Sequence, residues 1–196
     1  RPASTFVTLV QTGRFVGTGE IKAQANLFRE FQRNELAVSA SPWSFASGLI
    51  QYLDAYPHGC TEQITSQTFP SVILSGRPEL AASLLNSSSR AGAVDPKLAF
   101  RRTLDTLRGR QTAEGGFGLW DANYVEPFAS IYATHMLVEA RERKLPVPED
   151  MLRRASAYLQ SQLAADGNSS YDWRSRAYAA YLLTRQGVVT SAALVN

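Results

Sequence analysis

Tyr56-Pro57-His58-Gly59-Cys60-Thr61-Glu62-Gln63 carries the only cysteine of the chain and lies in the part, from Ser41 onward, where the period turns helical. Just before it, residues 44–53 place apolar side chains at helical spacing and stop near Pro57. From Cys60 to about Leu74 the helical period continues, with Pro70 expected to kink or divide the run. Gln63 follows Cys60 by three residues, so on a turn or helix the two side chains can meet. That spacing permits an internal thioester, with the Cys60 sulfur joined to the Gln63 side-chain carbonyl. Such a bond stores one acyl group and releases it once, which makes a trap and not a catalyst. The plain alternative is a buried, inert thiol. A catalytic pair with His58 has no supporting motif.

Toward the N-terminus, residues 1 to about 40 read differently. Thr5-Phe6-Val7-Thr8-Leu9-Val10-Gln11 is β-branched and aromatic, and Gly13, Gly17 and Gly19 punctuate the stretch after it. Glu35-Leu36-Ala37-Val38-Ser39-Ala40 alternates polar and apolar. Both stretches predict strands, and residues 23–31 between them predict a short helix or an irregular edge.

Toward the C-terminus, a short apolar stretch at 79–85 precedes helices predicted at 95–108, 126–143, 148–164 and 171–185. Asp95 is expected to cap the first of these, with Pro96 in its first turn. Pro148-Glu149-Asp150 supplies proline and two acids to another first turn, where the helix dipole favours negative charge. Gly115-Gly116-Phe117-Gly118-Leu119-Trp120 predicts a tight aromatic turn, and residues 190–196 read as the opening of one more helix. Consecutive helices with short connectors predict stacked hairpins. The expected fold is mainly α, with a β-rich segment at 1–40 and a helical domain at 41–196.

Composition narrows the function classes. The 20 basic and 17 acidic residues are interspersed and leave a net charge of +3, without the basic block that nucleic acid requires. A single cysteine excludes an intrachain disulfide framework. No apolar run approaches the roughly 20 residues of a membrane span, and no signal peptide is visible. The chain begins at Arg1-Pro2 and reads as a piece of a longer polypeptide. The glycines at 115, 116 and 118 lack the Lys-Ser/Thr of a phosphate loop, and His58 and His135 make no metal site. No cofactor is implied.

The octapeptide at 56–63 closely resembles the thioester motif of bacterial α2-macroglobulins, relatives of the eukaryotic α2-macroglobulins and of the complement thioester proteins. Gly115–Trp120 is similar to the glycine-aromatic-tryptophan loop of the same domain. Tyr132-Ala133-Thr134-His135-Met136-Leu137-Val138-Glu139-Ala140 looks like the helix that comes after that loop. The resemblance runs from about Ser39 to Arg143. It implies an α/α toroid, of which 41–196 is the N-terminal portion without the closing half of the ring. It also implies that 1–40 is part of the preceding β (CUB-like) domain.

The implied function is a broad-spectrum protease inhibitor. A protease cleaves a bait region elsewhere in the parent protein, the thioester becomes exposed, and a lysine amine of the protease is acylated by Gln63 while Cys60 is freed. The partners are target proteases and the remaining domains of the parent. The setting is periplasmic, with any membrane anchor outside this chain. By resemblance, Glu62 orients the loop and Gly59 allows close backbone approach. Tyr56, Phe69, Trp120 and Tyr124 are candidates for an aromatic shield. Complement relatives that favour hydroxyl targets carry a histidine shortly after the glycine loop. None stands between Asp121 and Ile131 here, so amines are the expected targets. An enzyme on the same architecture, of terpene cyclase or prenyltransferase type, stays open at this point, as does a non-reactive binding module.

Overall fold

The computed structural model describes residues 11–20, 28–32, 34, 36, 38, 40, 46, 49–50, 52–53, 56–85, 95–164 and 170–188. Residues 1–36 and 37–196 form two separate compact units. In the first, Arg29–Phe31 is a 3-10 turn and Gln32 Nε2 donates to Asn34 Oδ1 at 3.0 Å. The strand expected at Thr5–Gln11 lies outside the described residues except for Gln11, which is not in a strand. Leu36, Val38 and Ala40 are not in a strand either, so no β segment is seen among the described residues of 1–40.

The second unit is helical. Its bounded helices among the described residues are α1 (Thr61–Leu74), α2 (Pro78–Leu85), α3 (Pro96–Arg110), α4 (Pro127–Glu142), α5 (Glu149–Ala164) and α6 (Ser170–Arg185). Ala46, Leu49, Ile50, Tyr52 and Leu53 are also helical, within the run predicted at 44–53. Asp95 caps α3 as expected, its Oδ1 accepting the Lys97 N–H at 2.9 Å with Pro96 opening the helix. Glu126, a less usual cap, does the same for α4 by accepting from Ala129 N–H at 2.5 Å.

Of the two effects expected of Pro70, a kink or a division, division does not occur, and α1 runs through it. Buried residues on both sides of it, Thr65 and Thr68 before and Val72 and Leu74 after, tie both halves to the core. Thr68 and Thr103 also share a hydroxyl hydrogen bond of 2.7 Å that joins α1 to α3. Tertiary packing here outweighs the intrinsic penalty of proline.

Helix α4 is the organising element and packs against α1, α5 and α6. Ala133, Met136, Leu137, Val138 and Ala140 are all fully buried, as expected for a helix that is apolar nearly all round. They join Val72 of α1, Phe100, Leu104 and Leu107 of α3, and Met151, Leu152 and Ala155 of α5 in one core, which also takes in Phe117 from the glycine turn. A second core holds Ile131 against Leu159 of α5 and Leu182 and Leu183 of α6. Among the described residues no helix is long and apolar enough to cross a membrane.

The glycine turn is a small closed hairpin. Thr112 N–H bonds Gly116 O at 2.9 Å, Gly118 N–H bonds Arg110 O at 3.0 Å, and Gln111 bridges Phe117. Gln111 Nε2 pins it to α5 through Met151 O at 2.9 Å, and Arg154 Nη2 reaches Thr112 O at 2.6 Å. A Cβ on Gly118 would lie 2.0 Å from Asp121 O, and one on Gly115, at φ +96°, 2.3 Å from Arg154 O. Both positions require glycine. Gly118→Ala is therefore expected to destabilise the chain by about 2–3 kcal/mol and Gly59→Ala by less than about 1 kcal/mol, read from urea unfolding midpoints.

Candidate functional site

Cys60 sits at the N-cap of α1 in an extended backbone conformation, φ −66° and ψ 165°, with 7% of its surface exposed. Its N–H donates to Gln63 Oε1 at 3.1 Å, and the Gln63 N–H faces the Cys60 sulfur in return. This is the reciprocal geometry of a capping box, with cysteine where serine or threonine is usual. The same turn of helix brings the thiol and the carboxamide together.

The next residue holds this helix start against the glycine turn. Thr61 is fully buried, its N–H donates to Leu119 O at 2.9 Å, and its hydroxyl donates to Gly118 O at 2.6 Å. Arg110 Nη1 in turn donates to Thr61 Oγ1 at 3.3 Å, and its guanidinium carbon lies 5.9 Å from the centre of the Trp120 ring. Burial pushes the Arg110 guanidinium below its ordinary value, and the Cys60 sulfur pulls in the opposite direction. A cation and the cysteine thus share one partly buried corner.

The other expected site residues fall in different places. Tyr56 is half-buried, with its ring 5.5 Å from His58 and 5.8 Å from Tyr52, and Gln67 of α1 holds its carbonyl at 3.3 Å. Phe69 packs against Tyr132 and His135 of α4 at 5.6 and 5.0 Å, so it belongs to the helix interface. Trp120 is 60% exposed and Tyr124 85% exposed. Neither is buried over the cysteine within this chain. Glu62 is exposed in the first turn of α1, where the helix dipole favours its carboxylate. Gly59 is not crowded, since an added Cβ would come no nearer than 3.8 Å to Ile64 Cγ2. Arg110 and Thr61 were not singled out from sequence. Their role depends on a return of the chain 49 residues later.

No protein-family model matches the chain. The α2-macroglobulin of Rickettsia conorii is 36% identical to it over 200 residues, covering 100% of this chain and 10% of the relative. The chain belongs to the bacterial α2-macroglobulin family. It spans about a tenth of the length of the curated relatives it matches most fully. The α2-macroglobulin of Salmonella reacted with methylamine has a similar structure, with a TM-score of 0.64 at 29% identity over 76% of this chain and 10% of that one. Trypsin-activated α2-macroglobulin of Escherichia coli gives 0.57 at 28% identity over 72% of this chain and 10% of its own.

A second polar cluster joins α4 to α6. His135 Nδ1 lies 2.7 Å from the Tyr178 hydroxyl, and its Nε2 is 3.3 Å from Glu139 Oε1 and 3.2 Å from Arg185 Nη1. Arg185 bonds Glu139 at 2.6 Å and also pairs with Glu142, while Arg143 pairs with Glu139 from its own helix. Burial lowers His135 from its ordinary value of 6.5, with Arg185 adding to the effect and Glu139 opposing it. Burial, with Tyr132 and Tyr181 nearby, pushes the Tyr178 hydroxyl up to about 12. Burial raises the Glu139 carboxyl, but Arg185 and Arg143 outweigh this and hold it below 4.5.

These shifts set the sign of the pH effect on stability. A histidine whose folded value is lowered stays neutral in the fold while the unfolded chain takes up a proton. Stability is then complete above about pH 6.5 and falls as the pH drops below it. The depressed Glu139 value adds a separate loss below pH 4.5, as the carboxylate protonates. The urea midpoint is expected to fall between pH 7.5 and 5.5 in the wild type and to fall less in His135→Gln.

Proposed function

We propose that residues 41–196 are the N-terminal portion of the thioester domain of a bacterial α2-macroglobulin, an α/α toroid, and that residues 1–40 belong to the β (CUB-like) domain before it. The parent protein is a periplasmic protease inhibitor that traps its attackers covalently and is consumed once per event. The observation that carries this reading is the buried helix start, where the Cys60 N–H meets Gln63 Oε1 and both reactive side chains occupy one turn. Joined as a thioester, these groups would be shielded from water by the fold until a rearrangement exposed them. The amine nitrogen of a protease lysine then attacks Gln63 Cδ, the C–S bond breaks, and its electron pair leaves on the Cys60 sulfur. The amine proton passes to the thiolate or to water, and an amide remains. Support also comes from the neighbours, one reacted with methylamine and one activated by trypsin.

Trypsin with its lysines blocked by reductive methylation tests the chemistry. Unmodified trypsin should give an adduct with the full-length protein that survives reducing, denaturing electrophoresis, and methylated trypsin should not. Equal adduct from both would overturn lysine acylation.

A second reading is favoured by the capping geometry itself. Cys60 and Gln63 satisfy each other's backbone N–H groups without any bond between them, as in an ordinary capping box. In that case the module is non-reactive and the thiol is free before any treatment.

A further inference from the structure

Arg110 stands at the site without a part in the acyl transfer from Gln63. It ends α3, and the hairpin bond from Gly118 N–H to Arg110 O at 3.0 Å fixes its backbone beside the glycine turn. Its side chain then turns toward α1 and donates to Thr61 Oγ1 at 3.3 Å, one residue from the cysteine. The Trp120 ring lies 5.9 Å from the guanidinium carbon, on the same turn that holds Thr61. No carboxylate among the described residues pairs with Arg110, whereas Arg108, two residues earlier, is bound to Asp150 at 3.1 Å. An arginine held in a partly buried corner without an acidic partner is costly unless negative charge arrives there.

We propose that Arg110 is a positioning residue for thioester discharge, placed to stabilise the negative charge that develops on the Cys60 sulfur as its bond to Gln63 breaks. This rests on the thioester reading. In the stored state the sulfur is neutral and Arg110 does little more than hold Thr61. As the amine attacks Gln63 Cδ and the electron pair leaves on sulfur, a cation in a partly buried corner lowers the energy of the departing thiolate. The effect grows only as the bond breaks, so it speeds the discharge without weakening the stored bond.

The sign of the mutant effect separates this from a structural role. If Arg110 only held Thr61, its loss would loosen the helix start and make thiol release faster. If it supports the leaving group, release becomes slower. The full-length protein is treated with methylamine and the new thiol is followed by a chromogenic disulfide, alongside Arg110→Gln and Arg110→Met. Gln removes the charge and leaves a shorter polar amide in its place, while Met removes both the charge and the donor. Release is expected to slow about tenfold or more in both variants, each still starting with the mass of an intact thioester. Wild-type or faster release in Arg110→Gln would overturn the proposal. Failure of the wild type to release any thiol would sink the thioester reading itself, and it would show before any variant is made.

Discussion

Cys60→Ser is expected to abolish covalent capture of methylamine and of protease while leaving α1 intact. Serine is a better helix cap than cysteine, so the N-terminus of α1 loses nothing, and unfolding stability should move by less than about 1 kcal/mol. The chemistry fails for a separate reason. An alkoxide is a far poorer leaving group than a thiolate, and an ester in the same place would acylate amines too slowly to serve as a trap. Incorporation of labelled methylamine should drop by at least about 100-fold relative to the wild type. Capture by the serine variant at the wild-type level would mean that another residue carries the acyl group.

Phe117→Ala should be among the most destabilising single changes in the chain. Its ring is fully buried in the main core, and its backbone is fixed by the Ser130 hydroxyl at 2.7 Å and by Glu126 N–H at 2.9 Å. Truncation leaves a cavity beneath the glycine turn and should cost about 3–5 kcal/mol in urea unfolding. It also acts on the site. The carbonyls of Gly118 and Leu119 that hold Thr61 are on the same turn, so a variant that still folds should lose its thioester to water faster than the wild type. Unchanged stability would contradict the placement of this ring in the core.

Part of this was legible in the sequence because it depends on neighbours in the chain. Asp95 with Pro96, the acids after Pro148 and the three-residue step from Cys60 to Gln63 are local signals, and the helices stand close to where the periodicity puts them. What was not legible depends on the chain returning to itself. Pro70 reads as a kink or a break, and packing on both sides keeps α1 undivided. Trp120 stands out as the large aromatic of the glycine turn, while Phe117 is the residue that fills the core. Gly59 and Gly118 look alike in sequence, but only Gly118 has carbonyl oxygens of Asp121 and Tyr124 where a side chain would go. Arg110 gives no local hint of its position, because a hairpin and a helix start distant in sequence meet at its guanidinium.

The intact mass of the full-length protein, freshly purified and without amines, tests the central claim most directly. Thioester formation expels ammonia, so the native mass should be roughly 17 Da below that of the sequence, with no thiol at Cys60. Methylamine should then add to Gln63 and expose one thiol. A native mass equal to that of the sequence, with a free Cys60 thiol before treatment, would contradict the account.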